Sequence, residues 1–310
     1  MERQGFRVLD AHVHFPWPGQ WGRQVTQQKP AIQAYSRQRN QRMSLEWDFP
    51  ESASNHVGEA KTWEELADLW AAEVDQYGLS RVNFVTGGGN ANLHQVVRRH
   101  PDKFLGMAHH AIWEDGALDE LRRAHEEYGF RGLKMLGPRI PVDFEDPKLT
   151  PVWEYLAEHR LPVLCHFGLL GTAGGVVYHK NINPLVIANV CRAYPDIPWI
   201  IPHFGCGYML ELLQLCWAFP NIHVDTSGSN QWMQWLPYEM NTQLALRKFY
   251  ETIGPERIIF GTDSSWFPRG FSYRYLQDQV RDVRQMNWKQ DDIALVFGGN
   301  AARLYGLEAK

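Results

Sequence analysis

The stretch Arg7-Val8-Leu9-Asp10-Ala11-His12-Val13-His14 decides how this chain is interpreted, because an apolar run leads directly into a His-x-His pair. Alternate side chains of a β-strand lie on one face, so the spacing predicts that His12 and His14 point the same way from one rigid backbone. Two adjacent imidazoles at a strand end are half of a metal site. We therefore expect the remaining ligands at the ends of other strands.

Short apolar runs alternate with amphipathic helical patterns along the chain. The eight predicted strands are Val8–His14, Val82–Thr86, Phe104–Ala108, Gly132–Leu136, Pro162–His166, Trp199–His203, Ile222–Asp225 and Ile258–Asp263. The first predicted helix begins at the capping box Thr62–Glu65, and the others are Asn92–His100, Ala117–Tyr128, Pro151–Glu158, Pro184–Tyr194, Met209–Phe219, Thr242–Ile253 and Tyr273–Met286.

Eight strand–helix units over about 250 residues match the size of a (β/α)8 barrel. The structural alternative is a doubly wound open sheet, which would be expected to carry a Gly-rich phosphate loop after its first strand. The first strand here is followed by Phe-Pro instead. The sequence thus favours an α/β fold, a TIM barrel, with residues 1–310 forming a single domain.

The connection after the first strand, residues 15–61, is far longer than the usual βα loop of roughly 2–6 residues. It is rich in Arg, Gln and Trp. An insertion on the catalytic face of a barrel is typical of a lid over the site or of an oligomer contact. The alternative is a surface excursion with no such role.

Composition limits the partners. Lys and Arg (31) nearly match Asp and Glu (35), giving a formal net charge of −4, so we expect neither nucleic acid nor an anionic membrane as a partner. The four cysteines form no CxxC pair, which is typical of reduced thiols in a cytoplasmic protein. We expect a small-molecule substrate and a homo-oligomer, with a dimer as the commonest form.

Three further strands end in residues that bind metals or transfer protons: His166, His203 and Asp263. All strands of a parallel barrel end on one rim, so these side chains should meet His12 and His14 there. Imidazoles with one carboxylate and no thiolate suit zinc, with Mn or Fe as alternatives. Such a metal lowers the pKa of a bound water from 15.7 towards roughly 7, which makes it a nucleophile.

Five segments carry a family resemblance. They are Asp-Ala-His-Val-His (10–14), Leu-Cys-His-Phe-Gly (164–168), Ile-Pro-His-Phe-Gly-Cys-Gly (201–207), Phe-Gly-Thr-Asp-Ser-Ser (260–265) and Gly-Gly-Asn-Ala-Ala-Arg-Leu-Tyr-Gly-Leu (298–307). In this order they resemble the amidohydrolase superfamily, and its amidohydrolase-2 branch in particular, which also holds enzymes of the aminocarboxymuconate-semialdehyde decarboxylase type. The resemblance implies a metal bound by His12, His14, His166 and Asp263. It also implies that His203 and Asp263 are the catalytic residues that handle protons.

Lys134, on the fourth strand, leaves the number of metals open. Binuclear members of the superfamily carry a carboxylated Lys on that strand, whereas one metal is usual in the amidohydrolase-2 branch. We therefore expect one divalent metal ion, with Lys134 binding substrate or supporting a ligand. Arg139 in a rim loop and Trp17 in the insertion are the other predicted substrate-binding residues.

The leading hypothesis is a metal-dependent hydrolase that uses a metal-activated water on a small, carboxylated, aromatic or lactone-type substrate. The alternative is a metal-dependent, non-oxidative decarboxylase of an aromatic or muconate-type acid. A third possibility, a metal-binding or scaffolding protein without turnover, would be expected to lack a chemical residue such as His203. All five chemical residues are present.

Overall fold

The computed structural model describes residues 4–18, 29–47, 61–170 and 178–307. The strands are β1 (Leu9–His14), β2 (Arg81–Thr86), β3 (Phe104–Gly106), β4 (Leu133–Leu136), β5 (Val163–His166), β6 (Trp199–Ile201), β7 (Ile222–Asp225) and β8 (Ile258–Ile259). The α-helices are α1 (Pro30–Trp47), α2 (Trp63–Tyr77), α3 (Asn90–Arg99), α4 (Ala117–Arg122), α5 (Thr150–Glu158), α6 (Ala188–Ala193), α7 (Met209–Ala218), α8 (Thr242–Ile253), α9 (Tyr273–Gln285), α10 (Gln290–Ala294) and α11 (Asn300–Leu304).

The strands pair in parallel and in chain order, as predicted for a TIM barrel, in one group of three (β1 to β3) and one of five (β4 to β8). Backbone hydrogen bonds close both gaps. Between β3 and β4, the Lys134 amide donates to the carbonyl of Ala108 at 2.7 Å. Between β8 and β1, the Asp263 amide donates to the carbonyl of His12 at 2.8 Å. The strand ends that carry the predicted ligands therefore meet on one rim.

Two apolar layers hold the barrel. Alternate strand residues fill its interior: Leu9, Ala11, Val85, Leu105, Met107, Leu164, Ile200 and Ile259. The opposite faces pack against the surrounding helices, and a larger cluster there includes Trp70, Trp153 and Trp199, all fully buried. Burial of a large apolar side chain stabilises the fold by about 1.5–3 kcal/mol. Packing on both faces of the strands fixes the positions of the strand ends that form the rim.

Strand β1 carries a register shift against β2 between Asp10 and Val13, which marks a bulge. As a result Leu9 and Ala11 belong to the interior cluster, while Val13 belongs to the cluster facing the helices. The bulge resets the alternation just before the His-x-His pair. The prediction that His12 and His14 share a face is confirmed, since their ring centroids are 5.3 Å apart.

Several predicted element boundaries were wrong. The strand predicted to end at His203 ends at Ile201, and the one predicted to reach Asp263 ends at Ile259. Both functional residues lie beyond their strands with φ of 58°, in the left-handed region, so neither has the extended backbone of a strand residue. The strand predicted over Phe104–Ala108 ends at Gly106, and the helix predicted over Pro184–Tyr194 begins as a 3₁₀ turn, Pro184–Ile187.

The capping box was predicted correctly: the Thr62 hydroxyl accepts from the Glu65 amide, and the Glu65 carboxylate accepts from the Thr62 amide. Helix α1, inside the insertion, was not predicted, because its apolar residues are spread around the helix instead of forming one stripe. Residues 19–28 and 48–60 of the insertion, Trp21 among them, lie outside the described residues. Among the described helices, none is long and apolar enough to cross a membrane.

Candidate active site

His12 lies at the centre of a hydrogen-bond network at the rim of the barrel. Its Nδ1 is 2.7 Å from Asp225 Oδ2, and its Nε2 is 3.4 Å from Lys134 Nζ. A carboxylate accepts and an ammonium only donates, so Nδ1 carries the proton and Nε2 carries the lone pair. The pair of neighbours thus fixes the tautomer in which Nε2 can bind a metal.

His14 contacts Thr86 and Asp263. Its Nδ1 is 2.6 Å from the Thr86 hydroxyl, and its Nε2 is 3.1 Å from Asp263 Oδ1. Since a hydroxyl both donates and accepts, Thr86 can satisfy Nδ1 in either tautomer. His14 therefore donates to Asp263 in this structure and could present a lone pair at Nε2 if a cation lay between them.

The buried carboxylate of Asp10 anchors the residue that precedes Asp263. Asp10 accepts from the amide and the hydroxyl of Thr262 and from the amide of His12, which ties β1 to the ligand-bearing segment after β8. Burial raises the pKa of Asp10 to about 7, against these hydrogen bonds. A single side chain thereby positions two of the predicted ligands.

His203 is positioned by the backbone and hydroxyl of Ser227. Its Nδ1 donates to the Ser227 carbonyl at 3.0 Å, and the Ser227 hydroxyl is 3.0 Å from the same nitrogen and 3.1 Å from His12 Nδ1. Gly228 has a φ of +82° and a Cβ there would lie 3.0 Å from His203 Nδ1, so a side chain at this position would be strained and would displace the imidazole. In the neutral ring Nε2 is then unprotonated and available to accept a proton.

His166 joins the group through its ring, 5.0 Å from that of His203. Its Nε2 donates to the carbonyl of Leu169 at 2.9 Å. Nδ1 is thus its candidate donor atom towards a metal. The described residues that bring potential ligand atoms within 4.8 Å of one another are His12, His203 and Asp263. His203, predicted beside the metal, thus lies among its potential ligands.

Electrostatics keep this group in the protonation states that a metal requires. Burial lowers the pKa of His12, His14 and His166, so these imidazoles are neutral at pH 7. Burial alone would raise the pKa of Asp263, but the hydrogen bond from His14 and the neighbouring imidazoles outweigh it and hold this pKa below its usual range. Asp263 is therefore a carboxylate.

The three residues predicted to bind substrate occupy different places. Lys134 is buried beside His12, and burial lowers its pKa to about 8 against the attraction of Asp263 and Asp225. Trp17 lies on the rim against Gly88 and stacks on Trp63, with ring centroids 6.1 Å apart. Arg139 is exposed on the 3₁₀ turn Gly137–Arg139 after β4.

Sequence reasoning missed the supporting side chains. Thr86 orients His14, and Asp10 holds the turn before Asp263. Both were visible as polar residues in otherwise apolar strands, which is the signal that could have found them. The aromatic and basic loop after β8 was also missed, because a loop has no periodicity to interpret.

A sequence model of the amidohydrolase family, in its amidohydrolase-2 branch, matches residues 9–307, which is nearly the whole chain. This chain belongs to the amidohydrolase family. As a member, it is a metal-dependent enzyme, and the barrel rim described above is where its strands present the histidines and the aspartate.

Three relatives illustrate the similarity. The 2-amino-3-carboxymuconate-6-semialdehyde decarboxylase of Dictyostelium discoideum is 20% identical over 243 residues, which cover 71% of this chain and 66% of that protein. The 5-carboxyvanillate decarboxylase of Sphingomonas paucimobilis has a TM-score of 0.64 at 18% identity, covering 97% and 99% of the two chains. A dihydroxybenzoic acid decarboxylase of Polaromonas, solved with manganese and 2-nitroresorcinol, has a TM-score of 0.66 at 16% identity, covering 98% of both chains. The two solved structures show that this chain has the same fold as those decarboxylases.

The residues of this amidohydrolase fit a divalent metal. The donor set combines neutral imidazoles with one ionised carboxylate and contains no thiolate, which suits Zn²⁺ or Mn²⁺. His12 presents a lone pair at Nε2 and lies 3.7 Å from Asp263 Oδ1. The buried ammonium of Lys134 lies 3.4 Å from this nitrogen, and a metal bound at Nε2 would replace it as the partner of the lone pair.

Proposed function

We propose that this amidohydrolase is a metal-dependent, non-oxidative decarboxylase of a planar aromatic or muconate-type acid. The observation that carries the proposal is the convergence of His203, the Asp263 carboxylate and the buried Lys134 ammonium on His12. Decarboxylation needs positive charge to hold the substrate's oxygens and a proton donor beside the carbon that loses CO₂. The named activities of the three relatives support the same assignment.

In this proposal the metal is held by His12, His14, His166 and Asp263. When bound, it supplies positive charge that orients the substrate's oxygens and withdraws electrons from the carbon–carbon bond. Lys134 adds a second positive charge from the floor of the site, since its ammonium is buried among the ligands. Rings such as Trp17 at the rim suit a flat substrate.

The proton moves between the substrate and Asp263. As a carboxylate, Asp263 accepts the proton of a substrate hydroxyl group and then returns it to the carbon that bears the departing carboxylate. The carbon–carbon bond breaks, CO₂ leaves, and the product remains as an oxyanion. His203, whose Nδ1 donates to the Ser227 carbonyl and whose Nε2 is then free to accept, takes up one proton from solvent and passes it to that oxyanion. Each turnover therefore consumes one proton overall.

The test measures CO₂ release and proton release separately, because decarboxylation and hydrolysis differ in both. Metal-reconstituted protein is incubated with hydroxybenzoic acids, a carboxyvanillate, a carboxymuconate and a set of lactones, while CO₂ and pH are followed separately. Decarboxylation in D₂O releases CO₂ and leaves one deuterium on the carbon that lost it, and the pH rises when the CO₂ is swept out before it hydrates to bicarbonate and returns the proton. Substrate loss with proton release and no CO₂ would instead identify a lactone hydrolase and overturn the proposal.

Variants test the assigned roles. His203→Asn and Asp263→Asn should each lower kcat by about 10²–10⁴-fold, the usual loss for a residue that transfers a proton. His100→Asn is the matched control, because His100 pairs with Asp68 on the outer surface of the barrel. Metal content is measured for every variant, so that a loss of metal is distinguished from a loss of proton transfer. Full turnover by metal-loaded His203→Asn would remove His203 from the mechanism.

Hydrolysis is the second candidate. The observation that favours it is the ionised state of Asp263, since a carboxylate beside the metal ligands can also accept a proton from water. The CO₂ and proton measurements above decide between the two reactions, because hydrolysis leaves no deuterium on carbon.

A further inference from the structure

The loop that follows Asp263 and the start of α9 together present an organised group of one basic and two aromatic side chains. The Arg269 guanidinium carbon lies 4.8 Å from the Trp266 ring centroid and 5.3 Å from the Tyr275 ring centroid. A guanidinium between two aromatic faces is held in place by cation–π attraction. Arg269 therefore has a defined position, unlike a cation on a solvated surface.

The loop itself is fixed at three points. The Ser272 amide donates to the Ser264 hydroxyl at 3.0 Å, the Gly270 amide to the Trp266 carbonyl at 2.9 Å, and the Phe271 amide to a Glu73 carboxylate oxygen at 2.9 Å. Glu73 belongs to α2, so the loop after β8 is tied to a neighbouring helix of the barrel. Such anchoring preorganises a binding group before a ligand arrives.

Tyr275 connects this loop to the metal-binding residues. Burial raises the pKa of its hydroxyl, with Asp263 adding to the rise and Arg269 opposing it, so the phenol lies within electrostatic range of both charges. The hydroxyl is buried beside the Ser229 side chain, which acts as a donor towards the phenol oxygen, while within the described part of the chain no acceptor meets the O–H hydrogen at hydrogen-bond geometry. Buried polar atoms are nearly always hydrogen-bonded, so a ligand oxygen is a suitable partner.

We propose that Arg269 determines substrate specificity by binding a second carboxylate of a planar aromatic substrate, with the Tyr275 hydroxyl donating to the same group. This inference rests on the proposed function, because it assumes that the first acidic group of the substrate is held at the residues around Asp263. A guanidinium has five N–H donors in a planar fork, so it can bind a carboxylate in addition to its present contacts. The substrate class is then an aromatic dicarboxylic acid.

The test measures binding without turnover. Benzoate, benzene-1,3-dicarboxylate and benzene-1,4-dicarboxylate are titrated calorimetrically into the metal-loaded protein. The wild type should bind at least one dicarboxylate about tenfold or more tightly than benzoate, as expected for an added charged hydrogen bond. Equal affinity for benzoate and both dicarboxylates would overturn the proposal.

Variants then assign the preference to residues. Arg269→Gln should abolish the preference while leaving benzoate affinity within about threefold, and Tyr275→Phe should reduce it by a smaller factor. Arg269→Lys keeps the charge without the fork and should give an intermediate preference. Arg247→Gln is the matched control, because Arg247 is exposed on α8 and pairs with Glu251. Preference retained in Arg269→Gln would refute the assignment.

Folding and metal content of each variant are checked by thermal unfolding and metal analysis. If Arg269→Gln does not fold, the comparison between Arg269→Lys and Tyr275→Phe decides the matter, since unchanged preference in both contradicts the proposal. A dicarboxylate preference that depends on Arg269, without CO₂ release from any acid, would support this inference and remove the decarboxylase. CO₂ release without a dicarboxylate preference that depends on Arg269 would support the decarboxylase and refute the role of Arg269.

Discussion

Asp225→Asn should weaken metal binding by reversing the tautomer of His12. The wild-type carboxylate accepts from His12 Nδ1 at 2.7 Å, which leaves the lone pair on Nε2. Asp225 Oδ1 also accepts from the Ser227 amide at 2.6 Å. In the variant the amide oxygen keeps this second bond, so the amide nitrogen faces His12. His12 must then accept at Nδ1 and carry its proton at Nε2, where the metal would bind.

Loss of such a supporting partner typically lowers metal affinity by about 10–100-fold, or about 1.4–2.8 kcal/mol. We expect Asp225→Asn at the upper end of this range, because it also places a proton on the ligand atom. Asp225→Ala should be milder. The Ser227 hydroxyl, 3.1 Å from His12 Nδ1, can still accept the proton and preserve the useful tautomer.

The assay is a competition between the metal-free protein and a chelator of known Zn²⁺ affinity, at pH 7.5. Asp282→Asn is the control, since it changes a largely buried carboxylate on α9 that pairs with Arg281 outside the site. Urea unfolding of the metal-free variants separates lost stability from lost affinity. Wild-type affinity in Asp225→Asn, or weaker binding by Asp225→Ala than by Asp225→Asn, would refute the tautomer argument.

Three further predictions concern stability and reactivity. Burial lowers the pKa of His223 to about 4 in the folded protein, so the unfolded state binds more protons below pH 6.5 and stability falls as the pH drops towards 4. Between pH 7 and 5 this costs about 2 kcal/mol, and a His223→Leu variant followed by urea unfolding should lose that part of the pH dependence; an unchanged slope would contradict it. Gly88→Ala would bring a Cβ within 2.4 Å of Trp17, so it should lower Tm and change tryptophan fluorescence. Gly89→Ala, which also has positive φ but nothing within 4 Å of a Cβ, should leave the fluorescence unchanged; equal changes in both would exclude the Trp17 contact as the cause. Burial raises the pKa of three buried cysteines, so iodoacetamide at pH 8 should modify them only after denaturation, as mass spectrometry would detect: Cys165, Cys191 and Cys216.

Much of the fold was predictable because it depends on local periodicity. Parallel strands separated by helices place every strand end on one rim, and this rule alone brought His12, His166 and Asp263 to one place. Where the strands stop was not predictable. His203 and Asp263 adopt φ of 58°, a backbone conformation that hydrophobic periodicity does not encode.

By itself, the sequence determined the family and the barrel, because strand period and motif order are properties of the chain, and it named the residues that we propose bind a metal. The tertiary structure decided which atoms of these residues can act. The tautomer of His12 depends on Asp225, which is 213 positions away, and on the ammonium of Lys134. The physical reason is that protonation and hydrogen bonding change over a few tenths of an ångström between distant segments. Only packing around the barrel sets those distances.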